Sequence, residues 1–433
     1  DEPTSGATSF LYPYILATGY SLGFQGLDLG LWAMGIGTIM LFAGGVIVYQ
    51  FSKTSTTHYL ISLVVAIAYV INGAITWHAL SGMETSLVTT LTLWTLYAFT
   101  QQKDRQFVIA ATLLAMTRPE GSIMALIALV LFTFRRVTAA KKSVQNTTPY
   151  WILTFPLLGI IIQPMLNWII TGSASAAGSQ AKSILGTIPF FTDEIIERIW
   201  DNFVQMWQDL FTGTNGEYIP IAVVILAGIG IATALSDPKR RFTAALIIFW
   251  LVSVFAAIST LDTAFWHFKR YQIPLIALCF PLAGWGLGWI MQQINQSRVR
   301  AGLLTLITGV IIASSLQTWV EFRRLYDVNL NNIASQPFPM ARWLQANTPE
   351  NAIIAVHDVG MMRYVGNRQT LDMVGLTTPD AADYWRNGPG SVAEFLLNAE
   401  IRADYVAAYT TARGLNYLVD TPIYGELLAS FEA

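Results

Sequence analysis

Charge is what this chain has least of. Asp, Glu, Lys and Arg make up 12% of its 433 residues, against 54% hydrophobic residues and a mean hydropathy of +0.48. A soluble domain carries about 25% charged residues, so composition excludes an ordinary soluble protein and points to a polytopic membrane protein. The 25 Lys and Arg nearly cancel the 27 Asp and Glu, leaving a net charge of −2. Without a basic surplus there is no electrostatic footprint for nucleic acid. Cys279 is the lone cysteine, inside an apolar run, so intrachain disulfides are excluded. Metal-ligand patterns such as HExxH or CxxC are missing, as are a phosphate loop, a nucleophile elbow and internal repeats. A starting Met and a basic-then-apolar signal pattern are also missing, so residue 1 reads as an interior position of a longer protein.

Long apolar runs are abundant. Ten segments stand out, at roughly 28–51, 59–80, 84–100, 105–117, 121–136, 149–171, 219–236, 242–260, 272–292 and 301–320. A ~30 Å hydrocarbon core takes ~20 helical residues at 1.5 Å each. The expected fold is therefore a polytopic α-helical membrane protein of about ten transmembrane helices over 1–320. Before them, 9–24 is apolar but short and carries Pro13, so it reads as an interfacial or re-entrant helix.

Lys and Arg set the orientation. With the first loop outside, cytoplasmic loops hold Lys53, Lys103, Arg105, Arg135, Arg136, Lys141, Lys142, Lys239, Arg240, Arg241, Arg298 and Arg300. External loops before residue 321 hold only Arg118, Lys182, Arg198, Lys269 and Arg270. That asymmetry puts SGMET (81–85), TRPEG (117–121), the loop 172–218, HFKRY (267–271) and the tail on the exterior. The tail, 321–433, reads as an extracytoplasmic α/β domain: strands at 351–357 and 404–409, helices at 337–350 and 391–401. Within 172–218, residues 193–211 form an amphipathic helix suited to the outer interface or to packing on the tail domain.

Charge at TRPEG interrupts two apolar runs. Thr117-x-x-Glu120 and Ser81-x-x-Glu84 both fit the capping box, in which hydroxyl and carboxylate satisfy N–H groups at a helix start. The segments 84–100, 105–117 and 121–136 are also short, about 25, 20 and 24 Å. Anchored at their cytoplasmic ends by basic residues, they leave SGMET and TRPEG at the floor of an outward-open cavity, where polar groups at membrane depth are tolerated. Glu84, Arg118 and Glu120 are accordingly expected to line one pocket. HFKRYQIP (267–274) adds His267, Lys269 and Arg270 among aromatics before Pro274. Cations on the side that disfavours them suit recognition of a lipid phosphate; an aromatic belt with incidental charges is the plainer reading. Asp28 and Asp262 at external helix ends, and His78 on an apolar helix, are weaker candidates.

The combination of 3–17, SGMETSL (81–87), TRPEG (117–121) and HFKRYQIP resembles the GT-C superfamily of integral-membrane glycosyltransferases. Within it, the pattern resembles the bacterial group with GMET and RPEG motifs, related to mycobacterial arabinofuranosyltransferases. IIAVHDVG (353–360) and QTLDMVGLT (369–377) resemble that group's tail. The resemblance implies a polyprenyl-phosphate sugar donor, a glycan, lipid or protein acceptor, and inverting transfer on the extracytoplasmic face of the bacterial cytoplasmic membrane. No cofactor is indicated, with a divalent cation left open. The group's catalytic Asp follows a first membrane helix, and 3–17 matches the stretch after it, so both are expected upstream of Asp1. Arg270, Lys269 and Arg118 would stabilise the leaving phosphate, with Glu84 and Glu120 positioning the sugar or the cations. Asp358 and Asp372 would face the cavity or serve as strand-end turn residues. A transporter or binding protein for lipid-linked phosphates and a structural subunit of a membrane assembly are the other readings; the first would call for inverted repeats.

Overall fold

The computed structural model describes residues 8–56, 58–140, 149–212, 217–378, 380–399, 402–409, 412–419 and 425–432. Residues 3–7 of the first motif, Lys141, Lys142, and positions 400–401 at the end of the expected helix 391–401 lie outside that set.

The membrane part is all helix: α1 (Leu11–Ser21), α2 (Asp28–Ser52), α3 (Tyr59–Val70), α4 (Gly73–Leu80), α5 (Thr85–Thr100), α6 (Asp104–Ala115), α7 (Pro119–Ala140), α8 (Phe155–Thr171), α9 (Ala177–Lys182), α10 (Thr192–Thr212), α11 (Ile221–Ser236), α12 (Arg241–Ser259), a turn α13 (Trp266–Lys269), α14 (Ile273–Gln293) and α15 (Ser297–Ser335). Every one of the ten apolar segments is helical. By length and composition, five helices among the described residues suffice to cross a membrane, or six with the bent pair α3–α4.

That bend corrects one expectation. Segment 59–80 is not a single helix; it breaks at Ile71–Asn72 with a 53° change of direction. Asn72, fully buried, caps α4 by accepting from the Ile75 N–H at 3.1 Å. Its amide also donates to the Tyr218 carbonyl at 3.2 Å. A short polar side chain that satisfies helix-start donors competes with helix continuation.

α14 is the central helix, packed by α2, α3, α5 and α11. It approaches α11 closely because glycines face each other's backbone: a Cβ on Gly286 would lie 2.0 Å from the Leu226 carbonyl, and one on Gly230 2.2 Å from that of Leu282. Small residues let helices associate where lipid supplies no hydrophobic drive. The buried indole of Trp285 donates to the Phe51 carbonyl at 3.1 Å and locks α14 to α2. The amphipathic helix, α10, packs on α12 through an edge contact between Trp207 and Phe255, and leaves Ile196 and Trp200 exposed.

α15 has 39 residues, about 58 Å at 1.5 Å each. It runs unbroken through position 320 and carries the chain from the bundle into the tail. There α16 (Pro337–Asn347) precedes β1 (Ile353–Val356), α17 (Val359–Tyr364), β2 (Gln369–Asp372), α18 (Ala381–Arg386), α19 (Pro389–Asn398), β3 (Tyr405–Ala407) and α20 (Asn416–Val419). The three strands form a parallel sheet, order β2-β1-β3, with Ala355 opposite Leu371 and Val406. The fold class is thus a polytopic helical membrane protein with a small C-terminal α/β domain.

A cationic cavity between the motif loops

α1 builds the first wall. The Phe10 and Leu11 N–H groups donate to the Met116 carbonyl at 3.2 and 2.9 Å, and the Tyr12 hydroxyl donates to the Gly82 carbonyl at 2.6 Å. The short helix at 11–21 therefore joins SGMET to MTRPEG.

Neither capping box forms. The Thr117 hydroxyl donates backward to the Leu114 carbonyl at 2.6 Å, and the Ser81 hydroxyl donates to the His78 carbonyl at 2.9 Å. Glu84 sits at the start of α5 with no side-chain cap bond. Both glutamates turn to Arg118 instead. Its Nη1 lies 3.3 Å from Glu84 Oε1, while Nε and Nη2 reach the two Glu120 oxygens at 3.2 and 3.3 Å. Arg118 is 5% exposed, and its planar fork suits two carboxylates at once. Burial alone would lower the pKa of the guanidinium; Glu120 and Glu84 overcome this and hold it above its ordinary value.

The length argument needs a partial correction. α5 and α6, at 16 and 12 residues, are shorter than the hydrocarbon core. α7 is not, because it extends through Ala140 and has 22 residues. The expected inset of the Glu84–Arg118 pair then rests on the α5–α6 hairpin alone.

HFKRY approaches from the other side. His267, Phe268 and Lys269 all adopt left-handed backbone, with φ of 52°, 52° and 57°. Each non-glycine residue there costs roughly 1–2 kcal/mol, and such strain collects at functional sites. Buried His78 helps hold the turn, with Nε2 3.1 Å from the His267 carbonyl. The turn divides the motif. Lys269, 4% exposed, packs its ammonium 4.8 Å above the Tyr218 ring and does not line the cavity. The His267 ring does not line it either. Tyr271 does, with the Arg118 guanidinium 4.6 Å from its ring and the Arg270 guanidinium 4.9 Å. Arg270 Nη2 donates to the Tyr271 hydroxyl at 3.0 Å, and its buried Nε has no hydrogen-bond partner.

The resulting cavity has a volume of about 180 Å³. Arg118, Glu120, Lys182 and Tyr271 form its polar end, and Ile258 and Leu261 are among its apolar walls. Lys182 and Tyr271 were not singled out by sequence reasoning, although Lys182 was already visible as one of few external lysines. Burial depresses the Lys182 pKa, and Arg270 and Arg118 deepen the effect against Tyr271 and Glu84. Arg270 and Glu84 do not themselves line the cavity: Arg270 stands behind Tyr271 and Glu84 behind Arg118, so that three cations, Arg118, Arg270 and Lys182, accompany two carboxylates, Glu84 and Glu120. One net positive charge remains when all are ionised.

Asp358 and Asp372 belong to the tail sheet and do not line this cavity. Asp372, fully buried, accepts from the Val374, Leu376 and Thr377 N–H groups at 2.7 to 3.0 Å, which makes it the strand-end turn residue. Asp358 follows β1 without capping α17. Among the described residues there is no group of three or more His, Cys, Asp or Glu placed to hold a metal ion.

Comparison with known structures names this architecture. ArnT from Cupriavidus metallidurans bound to undecaprenyl phosphate superposes with a TM-score of 0.53 at 10% identity, over 92% of this chain and 82% of that one. The Archaeoglobus fulgidus oligosaccharyltransferase tethered to an acceptor peptide with the NVT sequon gives 0.50 at 11% identity, over 88% of this chain and 56% of that one. Both neighbours are GT-C glycosyltransferases. The chain shares their fold. Residues 328–431 match the model of a domain of unknown function, DUF8728. No curated protein matches by sequence.

Proposed function

We propose that this chain is a membrane glycosyltransferase that takes its sugar from a polyprenyl-phosphate donor on the extracytoplasmic face of the bacterial cytoplasmic membrane. The observation that carries the reading is a cavity in a GT-C-like fold lined by Arg118, Lys182, Tyr271 and apolar side chains, with Arg270 bonded to the Tyr271 hydroxyl behind it. Transfer leaves negative charge on the lipid phosphate, and preorganised cations in a poorly solvated site lower the barrier by meeting that charge as it develops.

The cations divide the work. Arg118 is bound by Glu84 and Glu120, so it is a fixed strut whose field is largely neutralised. Lys182, in the cavity wall, is the group that meets the phosphate, and Arg270, bonded to the Tyr271 hydroxyl, adds its charge from behind that ring. Ile258 and Leu261 take the first isoprenoid units. A carboxylate near the acceptor hydroxyl acts as general base; Glu84 and Glu120, engaged with Arg118, are not that base. Attack opposite the departing phosphate inverts the anomeric centre.

The test is titration of the full chain in nanodiscs with undecaprenyl phosphate and with uncharged undecaprenol, followed by assay with polyprenyl-phosphate-linked sugars. Strong preference for the phosphate and release of polyprenyl phosphate on turnover are expected. Equal affinity for the uncharged alcohol would end the reading.

A further inference from the structure

A second concavity lies in the tail domain, outside the motif cavity. It measures about 350 Å³, within the ~300–1,000 Å³ usual for small-molecule sites. One wall is α16, the floor is the outer strand β3 with the residues after it, and the other wall is 425–431. Trp343, Tyr405, Tyr409 and Phe431 supply aromatic faces, and Asp404 and Glu426 supply carboxylates. No Lys or Arg is among the described residues that line it. Asp404 uses one oxygen on the Ile353 N–H at 2.9 Å and keeps the other free to accept elsewhere.

This chemistry selects its ligand. Acids without a cation repel phosphate and carboxylate, so a lipid phosphate or an acidic polymer does not fit. Aromatic faces bury flat patches of C–H, and carboxylates accept from hydroxyls without requiring a charged donor. A molecule with apolar C–H faces and a rim of hydroxyls satisfies both. We infer that this groove is a subsite for a neutral oligosaccharide, with Trp343 and Tyr405 as stacking platforms and Asp404 and Glu426 as hydroxyl acceptors.

The tail domain touches the membrane domain through residues outside the groove. Tyr364 donates to the Gly26 carbonyl at 2.9 Å, Arg386 to the Gln180 carbonyl at 2.6 Å, and Asn387 accepts from the Ile188 N–H at 3.3 Å. All three tail residues follow the carboxyl ends of β1 and β2, and Gln180 lies two residues from Lys182. Tyr409 follows the carboxyl end of β3, its ring 4.7 Å from that of His357. The carboxyl edge of a parallel sheet is where such folds bind ligands. This assignment rests on the transferase reading and narrows its acceptor to a neutral glycan.

Binding by the full chain in nanodiscs to immobilised neutral oligosaccharides (arabino-, manno- and galacto-series) tests it without turnover. At least one series should bind, and Trp343→Ala should weaken that binding by about tenfold or more, the scale of one aromatic platform. Trp343→Phe should retain most of it, and undecaprenyl phosphate affinity should be unchanged in both. Absence of binding to every series, equal binding by Trp343→Ala, or capture of extended peptides in preference to glycans would overturn the assignment. A wild-type chain that binds oligosaccharide but not undecaprenyl phosphate would leave the groove standing and remove the donor site.

Discussion

The cavity between the motif loops and the groove of the tail domain are built on opposite charge rules. In the first, cations are buried beside aromatic rings, and acids serve to hold one of them in place. In the second, aromatics and acids stand without a cation among the described residues. On the proposed transferase reading, a sugar passes from an anionic lipid carrier to a hydroxyl-bearing acceptor, and the two ligands call for different environments. The acid-lined groove would penalise an anionic carrier by like-charge contact.

The contrast can be broken most forcefully at Arg118. Arg118→Ala leaves Glu84 and Glu120 buried without their partner. Removing one member of a buried pair costs ~3–5 kcal/mol, so thermal unfolding of the purified chain should shift down sharply and transfer should vanish. Little change in unfolding temperature would show that the network contributes nothing to the membrane fold.

Arg270→Ala comes next. It strips a cation beside the proposed phosphate site without orphaning a carboxylate. Undecaprenyl phosphate affinity should fall about 100-fold, within the range for a buried charge pair losing one member, with unfolding nearly unchanged. Lys269→Ala, its neighbour on Tyr218, should leave that affinity alone. Equal losses in the two variants would mean that the turn at 267–269 does not sort them.

Asp372→Ala probes the other region. It removes the acceptor for three backbone N–H groups, at a cost of ~1–3 kcal/mol to the tail domain. Hydrogen exchange should rise at 372–378 while phosphate affinity stays within about twofold. A collapse of phosphate binding would tie Asp372 to the cavity after all.

The smallest effect is a pH slope. Burial holds the Lys182 pKa below its ordinary value, and a bound anion raises it again. The complex then holds more protons than the free protein. Affinity for undecaprenyl phosphate should fall as pH rises through the free-state pKa, by at most about tenfold per pH unit for one proton. Lys182→Arg should flatten the slope; an unaltered slope in that variant would assign the proton to another group.

Much of this was legible in the chain itself. Helix positions followed from apolar run length, because backbone in a bilayer must satisfy its own hydrogen bonds. Arg118 and Glu120 drew notice because charge between apolar runs is costly. The roles were harder. Ser81, Thr117, Glu84 and Glu120 satisfy the spacing of a capping box, yet Arg118 outcompetes the backbone for both carboxylates. Adjacent Lys269 and Arg270 look equivalent in sequence, and only the left-handed turn sends them to different neighbours.

Composition and apolar periodicity alone determined a multi-helix membrane protein with a small α/β tail, since solvent preference is a property of each residue and adds up locally. Which charges share a cavity, that α9 contributes Lys182 to it, and that a groove of aromatics and acids forms beside β3 were decided by tertiary structure. Those are meetings between segments tens to hundreds of residues apart, and local hydropathy carries no record of them.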